Sequence, residues 1–286
     1  MEIRKWEDLP EDCLANVFRR VGMESLLLDV PFVCKSWYRA TLNPFCWERL
    51  DFYNIMFAPK DYLFYVIFDD DGVRMVHRLM VEYRIKEFSV DSMIKFLANR
   101  SSGNCIVLDL PANGCREEVF RFVIDKCPAL RCLSFSCNLF KTDHLSIIQE
   151  LIEKCKHLEF LNILDFTVSN LKEIVAKIGR NCQHIRGLGA PFAYIGEEEA
   201  AAIVTNLPNI NYLVLTHSRI DRKDLVEILQ GCKRLFHLDV SNCSGCKIDD
   251  KLLELASHIR TFKYEGVIDG FPHEDDFEFW DGYNSA

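Results

Sequence analysis

The sequence predicts an α/β fold in two parts. A short N-terminal three-helix unit is followed by a solenoid of strand–helix repeats of about 25 residues. Three observations predict it. An anchor pattern, Cys-x-x-Leu-x-x-Leu-x-Leu, recurs along the chain; apolar residues precede each recurrence at helical spacing; and the stretch VPFVCKSWYRATLNPFCW (Val30–Trp47) crowds two tryptophans, two phenylalanines and two cysteines together well before the first anchor.

The elements follow in order. Leu9-Pro10 starts a helix, because proline is tolerated in the first turn, where its missing N–H has no partner to lose. Leu14, Val17, Phe18 and Val21 then recur at the spacing of one helical face, and Gly22 ends the run. Leu26 to Trp37 supplies a second apolar segment, and Pro44 and Trp47 close a unit spanning residues 1–50. Three short helices bury little surface, so such a unit is stabler when a partner covers part of it. Residues 51–89 read as a helical linker, with a turn at Asp69–Gly72 and a helix at Met75–Ile85; Val90–Gly103 is the helix that enters the first clear strand.

Residues 90–264 hold the repeats. The anchors align as CPALRCLSF (Cys127–Phe135), CKHLEFLNI (Cys155–Ile163), CQHIRGLGA (Cys182–Ala190), LPNINYLVL (Leu207–Leu215) and CKRLFHLDV (Cys232–Val240), with looser copies at Ser102–Leu110 and Ser257–Tyr264. The third anchor falls at Leu108, Leu133, Leu161, Leu188, Leu213, Leu238 and Phe262, in steps of 25, 28, 27, 25, 25 and 24 residues. Those steps lie in the range of leucine-rich repeats. Residues 3, 4 and 7 before Cys155 are Ile152, Leu151 and Ile148, and before Cys232 they are Leu229, Ile228 and Leu225. That is one helical face. Each unit is a strand and a helix that must stack on neighbours to bury their apolar sides. Cys127, Cys155, Cys182 and Cys232 thereby become small buried residues at the helix-to-strand turn.

Several function classes fall away. A net charge of −9 disfavours binding to a phosphate backbone. The opening MEIRKWEDLPED is charged where a secretory signal would be apolar, and LFYVIF (Leu63–Phe68) is far too short to cross a bilayer. An intracellular protein, of cytoplasm and/or nucleus, is expected. Cys243 and Cys246 form the one close C-x-x-C, with no second pair to complete four zinc ligands. His157 and His184 share a repeat position, which accounts for them without a metal. No cofactor, no metal and no catalytic residue are predicted.

The N-terminal residues resemble an F-box. The hallmark order is present as Leu9-Pro10, Leu14, Val17-Phe18, Val33-Cys34-Lys35-Ser36-Trp37 and Trp47. Residues 90–265 resemble the cysteine-containing leucine-rich repeats of plant and animal F-box proteins, with a leaning to plant members. The pattern departs at Leu207, which replaces the repeat cysteine, and at Phe166 and Ala193, where Asn or Cys usually closes the loop after the strand; Asn113, Asn138 and Cys243 keep that position. The resemblance implies a non-catalytic substrate receptor of an SCF-type cullin ubiquitin ligase. It implies a Skp-type adaptor as partner, with Leu9, Pro10, Leu14, Val33, Cys34 and Trp37 as its contacts, while Trp47 and Phe18 belong equally to the core. A stand-alone leucine-rich-repeat scaffold or inhibitor without ligase coupling is the alternative.

The repeat strands would present residues between the inward anchors on a concave face, where solenoids bind proteins. These are Asp109, Ser134, Ser136, Asn162, Leu164, Val214, Thr216, Asp239 and Ser241, with Pro111, Gly189 and Pro191 among them and Phe166, Phe192, Tyr194 and His217 on the following loops. A target with a basic or mixed surface near Asp109 and Asp239 is expected. Residues 265–286 leave the repeat pattern as an acidic–aromatic tail or cap, with five acids between Glu274 and Asp281.

Overall fold

A computed structural model describes residues 6–52, 71–111, 116–136, 144–164 and 171–267. They belong to two units, Met1–Leu158 and Glu159–Ala286.

The first unit opens with a 3-10 turn at Trp6–Asp8, then α1 (Glu11–Phe18), α2 (Met23–Leu28), α3 (Val30–Val33) and α4 (Lys35–Thr41), and a second 3-10 turn at Pro44–Trp47. Pro10 stands immediately before α1, its carbonyl accepting from the N–H groups of Cys13 and Leu14 at 3.0 and 3.1 Å. The apolar segment Leu26–Trp37 is not one helix. Asp29 and Cys34 divide it, Cys34 by adopting an extended backbone with φ −163°. The break rotates Val33 and Phe32 away from the core, which Leu14, Ala15, Phe18, Leu26, Ala40 and Trp47 fill.

Trp47 is the centre of this unit. It is 1 % exposed, its indole N–H donates to the Thr41 carbonyl at 2.8 Å, and the Arg100 guanidinium lies 5.0 Å from its ring centroid. Two residues later β1 (Arg49–Asp51) begins. It pairs in parallel with β2 (Val107–Asp109), and β2 with β3 (Cys132–Ser136), placing Leu50, Leu108 and Leu133 in one inward row. The ladder therefore starts at residue 49, ahead of the first repeat anchor, a strand without the anchor's cysteine and so without its sequence signal.

Three helices accompany these strands: α5 (Asp71–Glu82), α6 (Val90–Arg100) and α7 (Glu117–Lys126), with α8 (His144–Lys154) closing the unit. The Ser89 hydroxyl accepts the Ser92 N–H at 3.2 Å and caps α6. Arg78 of α5 bridges Glu24 and Asp29 at 2.5 and 2.7 Å, and the Tyr83 hydroxyl donates to the Leu27 carbonyl at 2.6 Å. Both tie α5 to the N-terminal helices. The turn read at Asp69–Gly72 falls partly outside the described residues.

In the second unit β4 (Phe160–Leu164), β5 (Gly187–Gly189), β7 (Tyr212–Val214), β9 (His237–Asp239) and β10 (Thr261–Lys263) form a parallel ladder. Between them run α9 (Leu171–Asn181), α10 (Glu197–Asn206), α11 (Arg222–Gly231) and α12 (Asp250–Leu255), and β6 (Tyr194–Ile195) pairs with β8 (Arg219–Ile220). The anchors Leu161, Leu188, Leu213 and Leu238 are at most 2 % exposed.

The repeat cysteine has a backbone task besides its burial. The N–H groups of Cys127, Cys155, Cys182 and Cys232 each donate the last helical bond, to Val123, Leu151, Ile178 and Ile228, at 2.8–2.9 Å. Leu207 makes the same bond to Ile203 at 2.9 Å, so its departure from cysteine costs the turn nothing. Burial pushes the thiols of Cys182 and Cys232 up to about 11, so these are inert packing groups rather than nucleophiles.

After the strands the chain turns through left-handed residues one repeat apart: Phe192 (φ 63°), His217 (φ 57°) and Asn242 (φ 59°), followed by Gly266 (φ 73°). A bulky residue seldom adopts this conformation. Ladder bonds hold it here, the N–H of Phe192 donating to Thr216, of His217 to Ser241 and of Asn242 to Glu265, at 2.8–3.0 Å. The next position closes the loop from inside. The Ser218 hydroxyl accepts the Ala193 N–H at 3.0 Å and donates to the Ala190 carbonyl at 3.3 Å, while the Cys243 thiol donates to the Leu215 carbonyl at 2.8 Å. Ser218 thus serves where Ala193 has no polar group; Asn113, Asn138 and Phe166 lie outside the described residues.

Helices α9 and α10 approach so closely at Gly179 that an added Cβ would sit 2.7 Å from the Asn206 carbonyl oxygen. Gly179→Ala is therefore expected to destabilise the chain. Helix propensity favours alanine by up to about 1 kcal/mol, but overpacking against backbone that has no rotamer to yield costs about 1–3 kcal/mol. A lowered midpoint in urea checks this; a raised midpoint would show that propensity wins.

Candidate functional site

Two surfaces present the groups singled out by the sequence. On the N-terminal unit, Val33 is 58 % and Phe32 56 % exposed, and Pro10, Trp6 and Val17 are exposed with them. Leu9, Cys34 and Trp37 are half-buried. Trp37 meets Phe18 edge-on with ring centroids 5.1 Å apart, yet its buried indole N–H has no acceptor among the described residues. The Ser36 hydroxyl beside Cys34, helped by the Trp37 N–H, holds that thiol below its ordinary value. Leu14 corrects the expectation. It is 0 % exposed, because α1 turns it inward against α4 together with Ala15 and Phe18, and it has no surface to offer a partner.

The second surface is made by the strands, and each unit carries its own part. In the first unit the register sets Asp51 beside Asp109 and Asp109 beside Ser134. Ser134 is 8 % and Ser136 0 % exposed, which corrects their placement on an open face: β3 is buried on both sides from Leu133 to Ser136, as strands of parallel sheets commonly are. Pro111 is buried too. Asp109 is half-buried, and burial first, the Asp51 carboxylate second, push its pKa up.

That shift fixes a sign. A carboxyl with a raised folded-state pKa binds its proton more tightly when folded, so its contribution to stability falls as pH rises through the ordinary carboxylate range and is unfavourable at neutral pH. Asp109→Asn is expected to raise the thermal midpoint at pH 7, with the gain shrinking as pH falls towards about 4, near the unfolded-state value. An unchanged midpoint at pH 7 would sink the argument.

In the second unit Asn162, Leu164, Val214, Thr216, Asp239 and Ser241 are all half-buried, while Gly189 and Pro191 are buried. Gly189 makes room for its neighbour: a Cβ there would lie 2.1 Å from the Asn162 amide oxygen. Asp239 is already engaged, by the Ser241 N–H at 3.0 Å and by Lys263 at 3.9 Å. Phe192 and His217 stack at 5.0 Å with ring planes 12° apart, and Asn242 reaches His217 at 3.4 Å.

The two-residue period of a strand puts the residue just before each leucine anchor on the same face as the residue just after it, a position outside the residues expected from the sequence. The residues just before the anchors are Phe160, Gly187, Tyr212, His237 and Thr261, neighbours in register. Gly187 leaves the gap across which Phe160 and Tyr212 meet edge-on at 5.5 Å, since a Cβ there would come within 2.3 Å of the Phe160 ring. Tyr212 continues to His237 at 6.0 Å and to Phe236 at 5.8 Å, and Arg260 lies 5.4 Å above the Phe236 ring.

Among the described residues no three His, Cys, Asp or Glu side chains gather as metal ligands would, and no helix is long and apolar enough to cross a membrane.

Residues 6–53 match the F-box-like family. The chain is 24 % identical over 263 residues to the Arabidopsis thaliana F-box protein FBW2, covering 88 % of this chain and 73 % of that one. It is 24 % identical over 257 residues to the Arabidopsis F-box protein SKIP1, covering 83 % and 79 %. Against the Arabidopsis putative F-box/LRR-repeat protein 23 it is 24 % identical over 249 residues, covering 85 % of this chain but only 49 %, about half, of that protein. A solved structure from Bacteroides fragilis superposes with a TM-score of 0.35 at 12 % identity, over 64 % of this chain and 62 % of its own, a likeness that says nothing of function.

Proposed function

We propose that this chain, an F-box-like domain followed by leucine-rich repeats, is the substrate-recognition subunit of an SCF-type cullin ubiquitin ligase. The observation that carries the reading is the F-box-like match at residues 6–53, falling on a unit whose Pro10, Phe32 and Val33 are exposed and apolar. Leu9, Pro10, Val33, Cys34 and Trp37 are its adaptor contacts; Leu14 supports them from the core. The Skp-type adaptor links the chain to cullin, and the strand faces take the target protein.

No residue of the chain acts on the isopeptide chemistry. The mechanism is proximity: a target lysine and the conjugating enzyme's thioester, held in one complex, meet at a high effective concentration. The strand row from Phe160 to His237 supports a protein target, since exposed aromatic groups dominate protein recognition.

Calorimetric titration of the folded chain with a purified Skp-type adaptor tests the proposal. Binding tighter than about 1 μM, or about −8 kcal/mol, is the expected result. A folded chain that binds no plausible adaptor overturns the ligase reading.

A further inference from the structure

The helix-to-strand turns of the second unit, residues 182–186, 207–211, 232–236 and 257–260, contain no acid. They carry Arg186, Lys233, Arg234 and Arg260, all exposed, in a chain of net charge −9. On the helices of the same unit Lys172 pairs with Glu198, Arg222 with Asp249 and Lys223 with Glu197, while Arg180 and Lys251 stand outside such pairs. The ion pairs among the described residues leave Arg186, Lys233, Arg234 and Arg260 out. Backbone bonds set these turns side by side: Asn211 and Tyr212 donate to the Arg186 carbonyl, Phe236 and His237 to that of Asn211, Thr261 to that of Phe236, and the Asn211 amide to that of Arg234. The cations therefore border the aromatic row formed by Phe160, Tyr212 and Phe236.

We propose that this aromatic–basic strip is the seat of the chain's own acidic–aromatic segment, residues 271–281. Its sequence, FPHEDDFEFWD, interleaves Phe277, Phe279 and Trp280 with five acids, the complement of rings bordered by arginines. Carboxylates pair with guanidinium groups through charge-assisted hydrogen bonds, and the segment's rings add aromatic contacts and cation–π contacts with Arg234 and Arg260.

Chain length permits it. The described chain ends at Val267, seven residues beyond Arg260, so the two are at most about 25 Å apart. The seven residues from Ile268 to Glu274 have the same reach. The step between strands is only about 4.8 Å, so the acids, once at Arg260, extend over Arg234 and Arg186. A target bound on this strip must displace the segment. The inference concerns the chain's own folding and stands whether or not an adaptor binds.

Hydrogen exchange on the full chain tests it. At low salt the amides of residues 271–281 are expected to exchange at least about tenfold more slowly than an open peptide. That protection is expected to vanish at about 1 M salt, where screening is nearly complete, and in Arg234→Glu/Arg260→Glu. Amides of α10 and α11 serve as the folding control, and adding Asp275→Lys/Asp276→Lys to the charge-reversed chain is expected to restore protection. Exchange at the open-peptide rate in the unaltered chain overturns the proposal. So does protection that survives charge reversal, or protection that grows with protein concentration, which would mean a second copy is the occupant.

Discussion

Val33→Asp combined with Pro10→Ala is expected to weaken adaptor binding by at least about 100-fold, or about 2.7 kcal/mol, without moving the thermal unfolding of the chain. Both halves follow from exposure. Val33 is 58 % exposed at the end of α3 and Pro10 stands in solvent before α1, so neither contributes to the core and neither substitution opens a cavity. In a complex the same positions would be covered, and an aspartate left there without a partner loses its hydration. Anchor residues of interfaces cost about 2 kcal/mol or more when removed. Leu14→Ala is the contrast. It belongs to the same hallmark series but is wholly buried, so it should lower the unfolding midpoint by the equivalent of about 2–5 kcal/mol, and any loss of binding it causes would follow from unfolding. Calorimetry beside thermal unfolding separates the two. If Val33→Asp with Pro10→Ala binds like the unaltered chain, the docking surface lies elsewhere.

Trp47→Ala is expected to be the most damaging single change in the first unit, at about 3–5 kcal/mol. Three losses combine. The ring leaves a cavity in a core that cannot close over it, because β1 fixes the backbone two residues later. The Thr41 carbonyl loses the indole donor at 2.8 Å. The Arg100 guanidinium, whose Nε is buried without a hydrogen-bond partner among the described residues, loses the ring 5.0 Å beneath it. A urea midpoint for Trp47→Ala, with Trp47→Phe to retain part of the volume, measures the effect. A loss below about 1 kcal/mol, no more than that of an average point substitution, would refute this account of the core.

The repeats were legible because burial recurs at fixed spacing: a leucine every 24–28 residues and a cysteine at the preceding turn report positions that cannot face water. The same signal explains why Leu207 substitutes for cysteine harmlessly. What escaped the sequence has a different physics. The strand at residues 49–51 is preceded by Cys46, but four residues rather than six before its inward Leu50, so it lacks the repeat spacing and is defined by its partner, through the Glu48 carbonyl that accepts from Ile106 and Val107 at 2.8 and 3.0 Å. Ser134 and Ser136 alternate correctly but sit on a strand covered from both sides, which alternation alone does not reveal. Leu14 carries the hallmark order yet faces inward, since a motif preserves both docking and packing residues without marking which is which. Phe160, Tyr212 and His237 were readable, one residue before each anchor; Gly187, which lets two of them touch, acquires meaning only when strands are laid in register.

The passage from Trp47 into β1 has a mechanical consequence. A receptor whose docking module hangs on a loose tether lets its cargo sweep a cone of directions, and only part of that sweep is productive. Here no slack intervenes between the helices bearing Phe32 and Val33 and the strands β1 to β3, because Trp47, buried against those helices, is followed by Glu48 alone before β1, and the Glu48 carbonyl is itself bonded to β2. Whatever grips those helices therefore aims the strands, and the orientation is set once, when the chain folds, rather than searched for at each encounter.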